Sequence, residues 1–246
     1  MNIDGRRVLI TGASRGLGRA LAFALAAAGA REVFAGTRQP DDLENLKRDA
    51  TATGVTLRPI RLDVTNEKDV EATRELGPID VLVNNAGVAG YGNPVTMTFE
   101  DAQTEMEVNY FGALRMTRAL APGMIARKEG MIVNVATAFA KVNLPLVGSY
   151  CASKAALLSL GQALRAYLKD SGVHVMTVMP TTIDTDMSKG ANVPKMTTEF
   201  VAHEILRHIR EESIDPPIGE EAEKVLQALR TDPMALEKML SQIRSS

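Results

Sequence analysis

The sequence contains a single cysteine and almost no net charge. Because Cys151 has no second cysteine to pair with, an intrachain disulfide is excluded, and this favours a reducing, cytoplasmic location. The 28 basic and 30 acidic side chains give a formal net charge of -2, which provides no field that would gather nucleic acid or an anionic membrane. We therefore expect neither kind of partner.

Long apolar runs and metal-binding patterns are also missing. Residues 1–7 lack the apolar core of a signal peptide, and the most continuous apolar stretch, residues 20–30, is too short to span a bilayer. The three histidines, His174, His203 and His208, lack the mutual spacing and the cysteine or carboxylate neighbours of a metal site. We expect a soluble protein without a catalytic metal.

Length and composition favour one compact domain. Of the 246 residues, 45% are hydrophobic and 24% charged, values typical of a globular protein. Short apolar runs predict buried strands at residues 7–11, 32–36, 57–62, 79–84, 131–136 and 173–179. Segments of helical period lie at residues 17–28, 42–53, 67–76, 100–127 and 150–171, followed by amphipathic helices at 197–212, 220–230 and 233–243.

Buried strands that alternate with helices predict an α/β fold, a doubly wound parallel sheet with helices on both faces. In such sheets ligands bind beyond the carboxyl ends of the strands. The residues that carry chemistry are therefore expected directly after each strand.

A glycine-rich loop joins the first strand to the first helix. It reads Gly12-Ala13-Ser14-Arg15-Gly16-Leu17-Gly18. Glycines allow the backbone to approach a pyrophosphate, and the helix N-terminus offers free N–H groups and partial positive charge. The spacing differs from the G-x-G-x-x-G fingerprint, so an ordinary strand-to-helix turn remains the alternative on this loop alone.

Two arginines bear on the choice of a dinucleotide. The second strand runs into Thr37 and Arg38 at the place where an NAD site has a carboxylate for the ribose 2′-hydroxyl. With Arg15 in the glycine loop, two guanidinium groups are available for a 2′-phosphate. We therefore expect NADP(H) rather than NAD(H), the alternative being two solvated surface arginines.

Tyr150 and Lys154 are four residues apart, which places them one turn from each other on a helix. Alone, this pair also fits a tyrosine at the core edge and a surface lysine. The order and spacing of all motifs together resemble the short-chain dehydrogenase/reductase family over about residues 6–187. The motifs are Thr11-Gly12-x3-Gly16-x-Gly18, Asn84-Asn85-Ala86-Gly87, Asn109, Tyr150-x3-Lys154, and Pro180 with Thr185.

The resemblance implies a three-layer Rossmann fold that forms a single domain over residues 1–246. Its cofactor half would span about residues 1–130, and its catalytic and substrate half about 131–246. The implied activity is hydride transfer between NADP(H) and a small ketone, aldehyde or secondary alcohol. The alternative is a redox-sensing or scaffold protein that binds the dinucleotide without turnover.

The resemblance also implies catalytic roles. Tyr150 would be the general acid/base. Lys154, together with the cationic nicotinamide of the oxidised cofactor, would lower the pKa of its phenol, and Lys154 would also hold the nicotinamide ribose. The family's catalytic serine lies thirteen residues before the tyrosine, where this chain has Thr137, which keeps a hydroxyl for the substrate oxygen. Asn109 would hold a water beside the lysine in a proton relay.

Further residues would line the cofactor by the same resemblance, while Asn84 would fix the sheet. The implied cofactor-binding residues are Gly12, Ser14, Arg15, Gly16, Leu17, Gly18, Arg38, Asp63, Val64, Asn85, Ala86, Gly87, Tyr150, Lys154, Pro180, Ile183 and Thr185. The family's Pro-Gly pair after the sixth strand is Pro180-Thr181 here, which is a departure.

Segments that rim the predicted site, residues 89–91 and 138–144, are mainly apolar and favour a hydrophobic substrate. Lys141 leaves an acidic substrate open. In the family, the helices predicted here at residues 100–127 and 150–171 form a dimer, so a homodimer is expected. A tetramer stays the alternative, but it is disfavoured because the C-terminal segment lacks the family's frequent closing Asp-Gly-Gly and has amphipathic helices instead.

Overall fold

A sheet of seven parallel strands forms the centre of the computed structural model, which describes residues 1–243. The strands are β1 (Arg7–Ile10), β2 (Glu32–Thr37), β3 (Leu57–Arg61), β4 (Val81–Asn84), β5 (Gly130–Val135), β6 (Val173–Pro180) and β7 (Pro217–Ile218). Their order is β3-β2-β1-β4-β5-β6-β7, and all neighbouring pairs are parallel. The order reverses between β1 and β4, and such a switch point is where ligands bind.

Helices cover both faces of this sheet. They are α1 (Gly16–Ala27), α2 (Pro40–Thr53), α3 (Glu67–Ala72), α4 (Phe99–Met106), α5 (Ala113–Arg127), α6 (Gly148–Leu168), α7 (Thr198–Glu211), α8 (Glu220–Thr231) and α9 (Pro233–Leu240). The predicted doubly wound, three-layer α/β fold is confirmed. No helix within residues 1–243 combines the length and apolar character needed to cross a bilayer.

Side chains alternate between the two faces along each central strand. In β1, Val8 and Ile10 pack in the same core as Leu21 of α1, whereas Leu9 between them packs in the core that contains Met116 of α5. These three side chains of β1 are fully buried. Both faces of the strand are therefore apolar, as parallel sheets require.

The predictions fail at the two edges of the sheet. The strand predicted as buried at residues 57–62 is the edge strand β3, whose Arg58 and Arg61 are exposed and pair with Glu32 and Asp69. It has only one neighbouring strand, so one of its edges meets solvent. At the other edge, β7 was not predicted, since two residues are too few to form a pattern.

The helix predicted at residues 100–127 is interrupted. Between α4 and α5 the backbone forms a π-helical turn, Glu107–Gly112, which contains Asn109. Gly112 at its end lies so close to Val64 that a Cβ atom would be 2.6 Å from the valine Cγ2. Such π-turns occur frequently at functional sites, because they redirect side chains that a regular helix would point elsewhere.

Helix α8 packs beside α6 and β6. Ala222 and Leu226 of α8 are buried against Leu158 of α6, Met179 of β6 and Ala138. Ala138 begins a short 3-10 turn that directly follows β5. Helix α8 thereby supports the segment after β5 at the carboxyl edge of the sheet.

Candidate active site

Tyr150 and Lys154 lie on the first turns of α6, at the carboxyl edge of the sheet. Lys154 is 4% exposed, and its Nζ donates a hydrogen bond of 2.8 Å to the carbonyl oxygen of Val135, the last residue of β5. The same Nζ lies 5.9 Å from the centroid of the Tyr150 ring. The structure thus brings the phenol and the ammonium together, as the spacing predicts.

Burial governs the ionisation of both groups. It lowers the pKa of Lys154 to about 8, because the charged ammonium loses solvation. Burial raises the pKa of the Tyr150 phenol, and nearby Cys151, Glu105 and Tyr91 raise it further, since a second negative charge is disfavoured there. The predicted lowering of the Tyr150 pKa by Lys154 is therefore wrong for the protein itself, because burial of the phenol dominates.

Asn109 fixes the loop that follows β4. Its Oδ1 accepts from the Val88 amide at 2.9 Å, and its Nδ2 donates to the Val88 oxygen at 2.9 Å and to Ser153 Oγ at 2.8 Å. A Cβ atom on Gly87 would lie 3.2 Å from Asn109 Oδ1 and 3.3 Å from Lys154 Nζ. Glycine therefore allows the loop to pass between the asparagine and the lysine.

Thr137 is 3% exposed and joins the ends of two strands. Its hydroxyl donates to the Pro180 oxygen at 3.0 Å and accepts from the Phe139 amide at 3.3 Å. The hydroxyl lies at the expected edge of the sheet, but it donates its proton to the Pro180 oxygen at the end of β6. A hydrogen bond from Thr137 to a substrate oxygen would require the hydroxyl to rotate.

The glycine loop forms a cradle that side chains would fill. Gly12 has a φ of 67°, and a Cβ atom there would lie 2.8 Å from the Ala86 Cα. A Cβ atom on Gly18 would overlap the Gly12 oxygen and Asn85 Nδ2. No side chain caps the first turn of α1, so its N–H groups are available to an anion. This arrangement fits a dinucleotide pyrophosphate.

Asn85 holds the cradle in place. Its Nδ2 donates to the carbonyl oxygens of Thr11 at 2.9 Å and Gly12 at 3.0 Å, which ties the loop after β4 to the loop after β1. The two loops meet at the switch point of the sheet. The side chain of Asn85 therefore positions the glycine loop.

The two arginines predicted to hold a 2′-phosphate differ in their surroundings. Arg15 forms an exposed ion pair of 2.7 Å with Asp186, which follows β6. Arg38 is exposed and makes no ion pair within residues 1–243. The structure leaves Arg38 open to a ligand and gives Arg15 a competing partner.

The other predicted cofactor residues lie at the same edge, mostly engaged with the protein. Asp63 Oδ1 accepts from the Thr65 amide at 2.9 Å and hydroxyl at 2.7 Å, and Val64 is buried. Thr185 caps the 3-10 turn Asp186–Ser188. Ser14, Gly16, Ala86 and Ile183 are half-buried, and Leu17 and Pro180 are buried.

Sequence reasoning missed three residues at this site, Glu105, Ser153 and Asp186. Glu105 and Asn109 are four residues apart in a helical segment, a spacing that places two side chains on one face. That spacing was the only available signal for Glu105. Ser153 and Asp186 had none, because their partners are brought close only by the folded chain.

The fold and the site define a class of protein. It is an α/β protein with a glycine cradle that fits a dinucleotide, and with a tyrosine beside a buried lysine at the same edge of a parallel sheet. A family model described as short chain dehydrogenase matches residues 6–195. The chain therefore belongs to the short-chain dehydrogenase/reductase family of oxidoreductases.

Individual proteins agree with this membership. A dehydrogenase/reductase SDR family protein 7-like of Anopheles gambiae is 37% identical over 200 residues, which cover 77% of this chain and 63% of that protein. The chain thus spans less than two thirds of that relative. A 3-oxoacyl-acyl-carrier-protein reductase of Vibrio cholerae is 32% identical over 202 residues, 80% of this chain and 81% of that protein.

A solved structure is similar over nearly its whole length. It is a short chain dehydrogenase from Burkholderia cenocepacia in complex with NADP, 36% identical to this chain, with a TM-score of 0.89 over 98% of this chain and 99% of that one.

Proposed function

We propose that this protein transfers a hydride between NADP(H) and a small, mainly apolar ketone, aldehyde or secondary alcohol. Tyr150 is the general acid/base of this proposal. The observation that carries it is the pairing of the half-buried Tyr150 with the buried Lys154, at the same edge of the sheet as the glycine cradle. The family membership and the NADP bound by the Burkholderia cenocepacia relative support it.

The cradle and the two arginines would hold the dinucleotide. The first N–H groups of α1, together with Gly12, Gly16 and Gly18, would bind the pyrophosphate, and Arg38 and Arg15 would bind the 2′-phosphate. When bound, the nicotinamide supplies or accepts the hydride. The absence of a carboxylate at Thr37–Arg38 favours the phosphorylated cofactor.

Tyr150 handles the proton. During reduction its phenol donates a proton to the carbonyl oxygen as the hydride reaches the carbonyl carbon, which yields the alcohol and a phenolate. During oxidation the phenolate accepts the hydroxyl proton. Although burial lowers the pKa of Lys154 to about 8, the ammonium form still predominates at neutral pH, and in this proposal it stabilises the phenolate.

Asn109 and Thr137 also have roles in this proposal, beside the Tyr150–Lys154 pair. Asn109 fixes the loop beside Lys154 through its hydrogen bonds to Val88 and Ser153. Thr137 would reach the substrate oxygen only after its hydroxyl leaves the Pro180 carbonyl. The proposal therefore assigns a positioning role to Asn109 and a substrate contact to Thr137.

A homodimer through α4, α5 and α6 belongs to the same proposal. These helices and the π-turn expose large apolar side chains, with Phe99 75%, Phe111 41% and Tyr167 82% exposed. Exposed aromatic side chains on adjoining helices are typical of an interface. A cytoplasmic location stays a prediction.

The test is oxidation of NADPH and NADH, followed at the nicotinamide absorbance, against a panel of ketones and aldehydes. The proposal expects turnover with NADPH, a lower kcat/KM with NADH, and loss of turnover in Lys154→Met. Lys169→Met, at the exposed end of α6, is the matched control and should be unaffected. NADPH binding without turnover in either direction would instead support a redox-sensing protein.

A further inference from the structure

Asp186 forms an ion pair with Arg15, the arginine of the glycine loop. Arg15 Nη1 donates a hydrogen bond of 2.7 Å to Asp186 Oδ2, and the two side chains are 76% and 63% exposed. Neither side chain forms a second ion pair within residues 1–243. The proposed function assigns the same guanidinium to the 2′-phosphate of NADP(H). Asp186 and the phosphate are therefore two anions that require one cation.

The backbone around Asp186 is fixed, whereas the Arg15 side chain is free to turn. Asp186 begins the short 3-10 turn that Thr185 caps. Thr185 lies against the glycine loop, since a Cβ atom on Gly16 would be 3.1 Å from its Cγ2. An arginine side chain is long and has many rotamers, while an aspartate side chain is short. Arg15 is therefore the member of the pair that can turn to another anion.

The 2′-phosphate is expected on the other side of Arg15 from Asp186. In the sheet, β2 lies next to β1 on one side, and β6 lies three strands from β1 on the other. Thr37 and Arg38, which are expected to mark the phosphate site, come at the end of β2, and Asp186 follows β6. With about 4.8 Å between neighbouring strands, β2 and β6 are about 19 Å apart. Arg15 follows β1, between these two strands, so turning toward the phosphate takes its guanidinium away from Asp186.

We propose that Asp186 determines cofactor specificity, because it competes with the 2′-phosphate for Arg15 and lowers the affinity for NADP(H). This inference rests on the proposed function, in which Arg15 binds that phosphate. An exposed ion pair contributes little free energy, so breaking it weakens NADP(H) binding about threefold. NAD(H) has no 2′-phosphate and leaves the pair intact, so its affinity does not depend on Asp186. Asp186 thereby reduces the preference for NADP(H) over NAD(H).

The test measures the Kd of NADPH and of NADH by cofactor fluorescence at low ionic strength, where screening of the ion pair is weak. Asp186→Asn keeps the size of the side chain and removes its charge. It should lower the Kd for NADPH about threefold and leave that for NADH unchanged. Asp186→Glu retains a carboxylate and should keep the wild-type ratio of the two Kd values. A purely structural role of Asp186 would change both Kd values together.

Asp184→Asn is the matched control. Asp184 lies two residues before Asp186, is 71% exposed and has its Oδ1 3.9 Å from Lys195 Nζ. The loss of its charge should leave both Kd values unchanged. The same fall in the NADPH Kd for Asp184→Asn and Asp186→Asn overturns the inference, because the effect would then come from net charge. An unchanged or raised NADPH Kd in Asp186→Asn overturns it as well, since Asp186 would then not compete for Arg15.

Removal of Arg15 separates this inference from the proposed function. In an Arg15→Ala background, Asp186→Asn should leave the NADPH Kd unchanged, because there is no guanidinium to release. An equal fall in this background would overturn the inference. If Arg15→Ala weakens NADPH binding and Asp186→Asn alone has no effect, only the inference is contradicted. If Arg15→Ala leaves NADPH binding unchanged, the 2′-phosphate contact of the proposed function is contradicted as well.

Discussion

Replacement of Lys154 by methionine is expected to stabilise the folded protein at neutral pH. Lys154 is 4% exposed, and burial lowers its pKa to about 8 from an ordinary value of 10.5. Methionine is unbranched and flexible, so it can occupy the same space without a charge. Below about pH 8 the folded wild type therefore contains a buried ammonium ion that the variant lacks.

The direction of the pH effect on stability follows from whether the folded or the unfolded state binds the Lys154 proton. Between about pH 8 and 10.5 the unfolded chain holds the Lys154 proton and the folded protein has released it, so the free energy of unfolding rises with pH. At about 1.4 kcal/mol for each pH unit, the cost of the charge below pH 8 is about 3 kcal/mol. Loss of the hydrogen bond to Val135 offsets about 1 kcal/mol of the gain. The variant should be about 2 kcal/mol more stable at pH 7, or about 5 °C in Tm.

Urea unfolding of both proteins at several pH values between about 7 and 10 measures this effect. Other titrating groups are common to the two proteins and cancel in the difference. The stability of the wild type relative to the variant should increase by about 2.5 kcal/mol over that range. A difference that does not change with pH, or a variant that is less stable throughout, would refute the reasoning.

Three further substitutions test other parts of the site. Gly18→Ala should abolish NADPH binding, measured by cofactor fluorescence, because the added methyl would overlap the Gly12 oxygen. The control Gly123→Ala should bind NADPH normally, because its methyl would meet only the flexible end of the Arg127 side chain. Thr137→Val should lower kcat/KM about tenfold or more, and Thr137→Ser should retain activity; an active valine variant would contradict a role for the hydroxyl. Arg15→Ala should raise the Kd for NADPH about tenfold and leave that for NADH unchanged, and equal effects would contradict a 2′-phosphate site.

The central strands could be predicted because both of their faces are buried. A run such as Val8-Leu9-Ile10 has apolar side chains toward each helical layer, so its pattern is unambiguous. At the edges that rule fails, since β3 presents Arg58 to solvent and β7 has only two residues. The π-turn around Asn109 was also not predicted, because residues 100–127 were interpreted as one continuous helical period.

The positions of the site residues could be predicted from the sequence, but most of their contacts could not. The four-residue spacing of Tyr150 and Lys154 fixes their place on α6, and Asn109 and Thr137 lie at the expected edge of the sheet. Their hydrogen bonds depend on residues distant in sequence, as the bond from Thr137 to Pro180 shows. Glu105 was missed for the same reason, because its hydrogen bond from the Gly90 amide forms only in the folded chain.

The kinetics of Tyr150→Phe test the central claim most directly. The substitution removes the phenolic oxygen and keeps the ring, so the cofactor cradle and the fold should be preserved. The account predicts a loss in kcat of about 10²- to 10⁴-fold, the contribution of a general acid, with the Kd for NADPH unchanged. A variant that reduces carbonyl substrates at nearly the wild-type rate would contradict the account.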